Sequence, residues 1–260
     1  MKIQRTLKTL KSDLGLTDFE LSLLLKYGSI ENMTIEHVEG VNPDLDTAAN
    51  EDLHMTGGDF TGFFASATAV KLKSGDAGDT SKGAMVCGLN ASGVYTETAV
   101  TTNAANGTTE VAVPGTWLAL FDVYSTEAAT LAGSLLVGPA GFGSTYLTAP
   151  ITTNGAAVGA RQVPAGKIAF ACNFYGGLIG GVASSGAGVG VFTGSATQYW
   201  RRCTGVAAGY GTSRKKVMIG PFTAGERIKL RGMNAIANNT IVNGSFDWIL
   251  IDTGTTGLDA

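Results

Sequence analysis

The first 28 residues carry apolar positions at helical spacing. Residues 1–14 alternate apolar and basic side chains in an amphipathic pattern. A capping box formed by Thr17 and Glu20 then opens a second helical pattern, which Gly28 ends in the manner of a helix C-terminus. The sequence therefore predicts a short α-helical N-terminal arm over residues 1–28.

The second helical pattern is apolar around most of its circumference. Its polar stripe consists of Asp18, Ser22 and Lys26, which are spaced four apart. A helix of this kind needs burial on more than one side. Either this chain's own β domain or a neighbouring subunit would bury it. The candidate docking residues are Phe19, Leu21, Leu23, Leu24 and Leu25.

From about residue 30 the pattern changes to short strands between turns. Segments such as MTIEHV, VYTETAV, KIAFACNFY and FDWILID are rich in β-branched and aromatic residues, and Gly, Asn, Asp and Ser fill the connections. No long helical pattern interrupts them, which favours antiparallel sheets over βαβ units. The predicted fold class is all-β, with antiparallel β-sandwich or jelly-roll domains after the helical arm.

Two strands allow a prediction about their faces. Trp117 and Phe121 point to one side of the segment 117–124 and Leu118 and Leu120 to the other, so both faces are apolar and the strand is central. In residues 227–231 three basic side chains alternate with two apolar ones. This alternation predicts a strand with one face in water.

The domain boundary is predicted near residues 150–162, where Pro, Asn-Gly and Gly turn signals cluster. The predicted domains are the arm at 1–28, a β-sandwich at 29–158 and a jelly-roll-like domain at 159–260. One larger sandwich with a long connection is the alternative.

Composition narrows the function classes. Charged residues make up 15% of the chain, and glycine occurs 37 times. A surface with so few charges suits a protein partly covered by partners. The net charge of −3 predicts no broad attraction to nucleic acid or to anionic membranes.

The sequence offers few residues that could catalyse a reaction or bind a metal ion. The three cysteines share no metal-ligand spacing, and two histidines offer little for a zinc or His-based catalytic centre. We therefore expect no catalytic residue, no metal and no cofactor. No span of about 20 apolar residues exists to cross a membrane. Lys8 and Lys11 interrupt any signal-peptide core, so synthesis in a cytoplasm is expected.

The segment QVPAGK, residues 162–167, has the Gly-Lys pair of a phosphate-binding loop. That loop requires a hydroxyl residue after the lysine and a glycine five positions before the second one, whereas Ile168 and Arg161 occupy these positions. Pro164 and Gly166 instead predict a tight corner that leads into a strand, on which Phe170 is buried.

The middle of the chain resembles a family of tailed-bacteriophage virion structural proteins. The resemblance covers roughly residues 70–178 and rests on the order of several motifs, which include GLNASG at 88–93, NGTT at 106–109, the aromatic-led strand at 117 and VPAGK at 163–167. Residues 220–253 resemble the final strands of trimeric jelly rolls of the head-fibre kind.

The resemblance implies a non-enzymatic phage virion protein that decorates or cements the capsid or is attached at the head–tail region. Its implied partners are major capsid or head–tail proteins, and a homotrimer is favoured. It would be made in the host cytoplasm and reside in the virion. The alternative is a receptor- or glycan-binding tail appendage whose sugar platform would use Tyr199, Trp200 and Tyr210.

Overall fold

The computed structural model describes residues 32–47, 50–128, 130–152, 155–180, 186–195, 201–208 and 212–253. Every regular element among them is a β-strand. The predicted arm at 1–28 and its docking candidates Phe19, Leu21, Leu23, Leu24 and Leu25 lie outside the described residues. The described part of the chain contains no helix with the length and apolarity needed to span a membrane.

Eighteen strands are described. They are β1 Met33–Leu45, β2 Glu51–Asp52, β3 Phe63–Thr68, β4 Lys71–Ser74, β5 Gly83–Asn90, β6 Tyr95–Thr101, β7 Val111–Ala112, β8 Trp117–Ser125, β9 Leu135–Gly138, β10 Leu147–Ala149, β11 Ala160–Gln162, β12 Lys167–Gly180, β13 Ala187–Gly194, β14 Arg201–Ala208, β15 Thr212–Lys215, β16 Ile219–Phe222, β17 Arg227–Met233 and β18 Thr240–Asp252.

The strands form four antiparallel sheets. Sheet A has the order β1-β18-β12-β15, with β16 also paired to β12, and sheet B has the order β11-β17-β13-β14, with β2 paired to β17. Sheet C has the order β3-β8-β5-β6, and sheet D has the order β10-β9-β4-β7. The all-β, antiparallel prediction is confirmed for the described residues.

The sheets pack in two pairs. Sheets A and B share a core that includes Phe174, Leu230, Phe246 and Trp248, and we call this pair the terminal sandwich. Sheets C and D share a second core that includes Leu72, Trp117 and Val137, and we call this pair the inserted sandwich. The inserted sandwich is made from β3 to β10, so it interrupts the terminal sandwich between β2 and β11.

The first strand belongs to the sheet of the last one. β1 pairs with β18 from Met33↔Ile251 to Leu45↔Thr240. The predicted division into residues 29–158 and 159–260 stays a prediction. This pairing supports the proposal that residues 33–52 belong with the C-terminal half.

Strand β8 is central, as predicted. It lies between β3 and β5 in sheet C, and most of its side chains are buried. A register shift against β5 breaks the simple alternation of its two faces. The predicted grouping of Trp117 with Phe121 is therefore wrong. Trp117 and Leu120 face the core of the inserted sandwich, while Ala119 and Phe121 join a second cluster.

The prediction of a water-facing side for β17 is wrong. Arg227 is 8% exposed and Lys229 is 4% exposed, although both alternate with the core residues Ile228 and Leu230. The alternation is real, but the charged face of β17 packs against the segments that join the two sandwiches rather than against solvent.

Candidate interaction site at the junction of the two sandwiches

The charged face of β17 forms the centre of the junction. The Arg227 Nε–H donates to Gln162 Oε1 at 2.8 Å, and its terminal nitrogen donates to the carbonyl oxygen of Phe64 at 3.0 Å. The guanidinium carbon lies 4.9 Å from the centroid of the Phe63 ring. Burial lowers the pKa of Arg227. Because Phe63 and Phe64 belong to β3, this one side chain binds the inserted sandwich to the terminal one.

A buried carboxylate lies beside it. Lys229 Nζ donates to Asp52 Oδ2 at 2.8 Å, and Arg231 Nε lies 3.0 Å from Asp52 Oδ1. The backbone N–H of Phe60 also donates to Asp52 Oδ2, at 2.8 Å. Asp52 and Lys229 are almost inaccessible to solvent. Such a pair needs both partners, since either charge alone would be buried without compensation.

His54 lies next to this carboxylate but is packed as a core residue. Its ring meets the Phe60 ring edge-to-face, with centroids 5.5 Å apart. Burial lowers the pKa of His54, although the charge of Asp52 opposes this shift. His54 is 3% exposed, so its ring packs as a core residue.

The VPAGK segment forms part of the same junction. The N–H of Ala165 donates to the carbonyl of Gly93 at 2.7 Å, so this corner rests on the β5–β6 turn of the inserted sandwich. Gly166 has a φ of +71°, and Lys167 forms an ion pair with Asp252. The segment leads directly into strand β12 rather than a helix, which confirms its interpretation as a structural corner.

A groove of about 440 Å³ opens beside this corner. Its walls include Ile35 and Leu250 from the terminal sandwich and Val94, Tyr95 and Phe121 from the inserted one. Tyr95 is 45% exposed, and its ring is nearly parallel to that of Phe121 at a centroid distance of 6.5 Å. The groove is therefore largely apolar, with one accessible aromatic side chain at its edge.

An arginine forms the polar side of the groove. Arg161 donates from two nitrogens to Glu36 Oε1 at 2.7 and 2.5 Å. Its guanidinium lies over the Phe121 ring, with a centroid distance of 5.0 Å. Arg161 therefore packs against the Phe121 ring, and its ion pair with Glu36 forms the charged edge of the groove.

Cys87 is buried within the inserted sandwich. Burial raises the pKa of the Cys87 thiol to about 12, and the nearby carboxylates of Glu97 and Asp122 act in the same direction. A thiol with such a pKa is not a nucleophile at neutral pH. Within the described residues no group of three or more His, Cys, Asp and Glu side chains is placed to hold a metal ion.

The predicted site residues lie outside the described part of the chain, and their roles stay predictions. Besides the docking candidates, the predicted aromatic platform of Tyr199, Trp200 and Tyr210 also lies outside the described residues. Sequence reasoning missed Tyr95, Phe121 and Arg161. The signal in the sequence was an aromatic residue two positions after the Ala-Ser-Gly turn, but the neighbours of Tyr95 in the groove come from distant segments.

Comparisons with known proteins add little. No family model matches the chain, and no curated protein matches it. Among solved structures, a mutant VP2 protein of infectious bursal disease virus from derived T=1 particles is 10% identical, covers 93% of this chain and 77% of its own, and has a TM-score of 0.25. A VP2 subviral particle of the same virus is 9% identical, with coverages of 93% and 79% and a TM-score of 0.25. Similarity at this level identifies neither the fold nor the function.

Proposed function

We propose that this chain is a non-enzymatic structural protein of a tailed-phage virion, decorating or cementing the capsid or attached at the head–tail region. Its partners would be major capsid or head–tail proteins and further copies of itself, with a trimer favoured. The virion context comes from the sequence resemblance over residues 70–178. The architecture of the described residues supports it.

The observation that carries the proposal is the strand pairing of the terminal sandwich. Its eight principal strands, β1, β11, β12, β13, β14, β15, β17 and β18, pair first with last, second with seventh, third with sixth and fourth with fifth. This nested order is that of a long hairpin rolled into two sheets, and we propose that the unit is a jelly roll. Jelly rolls are frequent in viral capsid and lectin domains.

The contacts at the junction support a structural role for the protein. The two sandwiches are joined by the buried Arg227 side chain, which donates to the carbonyl oxygen of Phe64, and by backbone hydrogen bonds such as that from Ala165 to Gly93. The motifs GLNASG and VPAGK, which carry part of the resemblance, are the segments that meet there. A fold alone does not assign function. The protein content of purified virions therefore has to test the proposal.

Mass spectrometry of purified particles tests the proposal directly. We expect the protein in the virion at a fixed copy number. Hundreds of copies per particle would assign it to capsid decoration, and about a dozen or fewer would assign it to the tail or neck. Absence from particles purified to constant composition would overturn the virion function.

A receptor- or glycan-binding appendage is the second candidate, and the groove at the junction favours it. Aromatic side chains such as Tyr95 offer the flat apolar surface on which a sugar ring packs. Titration of the protein with a glycan library would show binding that is lost in Tyr95→Ala. The matched control is Tyr124→Ala, since Tyr124 lies on the same sheet but does not line the groove. No binding to any glycan would remove this candidate.

A further inference from the structure

An apolar patch lies on the face of sheet A that points away from the core of the terminal sandwich. Its members come from three neighbouring strands and one connection, and we call them the outer patch: Met33, Ile35, Ile168, Phe170, Cys172, Met218, Ile249 and Ile251. Ile35, Ile249 and Phe170 lie in one row across the sheet, because Ile35 pairs with Ile249 and Phe170 pairs with Ile249.

Four members of the outer patch are buried, and the other four are partly buried. Phe170 is 1% exposed and Ile251 is 0% exposed. Among the described residues, Met218 is the single member of the cluster from outside the three strands. An outward face of an antiparallel sheet is normally polar or covered by another layer. The apolar composition of this face therefore calls for a covering segment.

The chain enters the described structure at this patch. The carbonyl of Asn32 accepts a hydrogen bond from the N–H of Asp252 at 3.0 Å, and Met33, the next residue, is a patch member. Residues 1–31 therefore start beside the surface that needs a cover. Five residues, 28–32, separate the apolar helical pattern at 17–27 from Met33. Fully extended, they reach about 17 Å.

A helix formed by residues 17–27 would be long enough to cross the outer patch. A helix of 11 residues is about 16 Å long. The patch spans three strands, which at about 4.8 Å per strand makes it about 10 Å wide between the outer strand axes. The apolar side chains of the helical pattern leave a single polar stripe of Asp18, Ser22 and Lys26.

We propose that residues 17–27 of the same chain dock as a helix on the outer patch, with Phe19, Leu23 and Leu24 among the buried side chains. The short link makes docking within one chain favourable, because it holds the segment at millimolar effective concentration. This inference does not depend on the virion function. A helix docked in this way would leave the protein with a closed outer face rather than a free anchoring arm.

Thiol labelling tests the proposal, because Cys172 is a patch member. In a Cys87→Ser, Cys203→Ser background, Cys172 is the remaining thiol. We expect Leu24→Asp to raise its labelling rate about tenfold or more, as the loss of one buried leucine from the docked segment predicts. Ser22→Asp introduces the same charge on the polar stripe and should leave the rate unchanged. Equal rates in both variants would overturn the proposal.

A second experiment distinguishes docking within the chain from docking to another copy. A Leu24→Cys variant in the same background, treated with a short bis-maleimide, should give a product of monomer mass linked between positions 24 and 172. A product of dimer mass that disappears on dilution would show that a second copy covers the patch, and would overturn docking within one chain. A truncation that lacks residues 1–28 should label as fast as Leu24→Asp while keeping the β-sheet circular dichroism signal.

Discussion

At the scale of single residues, one asparagine decides which side chains of β12 face which cluster. Asn173 has a φ of +54° and lies in a register shift between Cys172 and Tyr175. Before it, Ala169 and Ala171 face the core and Phe170 faces the outer patch. After it, Phe174 turns into the core. The bulge therefore lets a single strand place large rings on both faces of its sheet.

Phe170 and Lys167 should respond in opposite ways to truncation. Phe170→Ala removes a buried ring and should lower the free energy of unfolding by about 3–5 kcal/mol. Lys167→Ala removes a partly exposed ion pair with Asp252 and should cost less than about 1 kcal/mol. Chemical denaturation of both variants measures this. A cost for Lys167→Ala as large as that for Phe170→Ala would contradict the role of the VPAGK corner as a simple turn.

The buried charge of Lys229 should matter far more than an exposed one. Lys229→Ala leaves the Asp52 carboxylate buried with Arg231 as its remaining basic neighbour, and should cost about 3–5 kcal/mol. Lys216→Ala, at an exposed position, is the control and should change stability by less than about 0.5 kcal/mol. If the double variant Asp52→Leu, Lys229→Met recovers most of the loss, the cost comes from the unpaired charge and not from the missing side chain.

At the scale of elements, β1 and the segment before β11 come together through two glycines. A side chain at Gly40 would place its Cβ 2.5 Å from backbone atoms of Gly159. Gly159 itself donates to the carbonyl of Leu53 and accepts from the N–H of Leu230, both at 2.8 Å. Because of this close approach, the segment that leads into β11 lies between β1 and β17 at the junction of the two sandwiches.

Gly40→Ala should therefore destabilise the protein through overpacking. Backbone atoms cannot move aside as a flexible side chain does, so we expect a cost of about 1–3 kcal/mol or more. Gly143→Ala is the control, because a Cβ there meets nothing within 4 Å and φ is not positive. A thermal melt compares the two variants. No change in Gly40→Ala would mean that the strand and the segment separate at little cost.

A buried carboxylate also holds the loops of the inserted sandwich. Asp79 accepts hydrogen bonds from the Ser74 hydroxyl at 2.6 Å and from the N–H groups of Ala132 and Gly133 at 2.9 and 2.8 Å. Burial alone would raise the pKa of Asp79, but these donors outweigh it and lower the pKa below its usual value. The ionised form is thus favoured by the folded state.

The direction of the Asp79 pKa shift determines how the stability of the protein should depend on pH. Since the folded state depresses the pKa, the stabilisation is present above the unfolded value of about 3.9 and is lost as pH falls through the folded pKa. Asp79→Asn should be destabilised at pH 7, and its difference from wild type should shrink below about pH 4. Asp76→Asn, at a less buried position in the same loop, should show a smaller difference. A difference that stays constant down to pH 2 would contradict the assigned pKa direction.

At the scale of the whole molecule, local patterns predicted the elements but not their partners. Alternation and turn residues were enough for an all-β chain and for the central position of β8. The pairing of β1 with β18 joins residues some 200 positions apart, and no local pattern carries it. The burial of Arg227 and Lys229 depends on Phe63, Phe64 and Asp52, which come from distant segments. Tyr95 and Phe121 likewise become neighbours only through the fold.

The last prediction concerns assembly, and an exposed apolar end of the terminal sandwich motivates it. Ile179, near the end of β12, is 57% exposed, and Ile236 is 68% exposed beside the start of β13, where its N–H donates to the carbonyl of Gly186. Together with the low fraction of charged residues, this end suits a contact between copies.

We expect light scattering at micromolar concentration to give the mass of a trimer, three times 26.6 kDa or roughly 80 kDa. Ile236→Asp should weaken assembly, whereas Ile151→Asp, on the inserted sandwich, should not. A stable wild-type monomer would contradict the prediction. Equal weakening by both variants would move the contact away from this end.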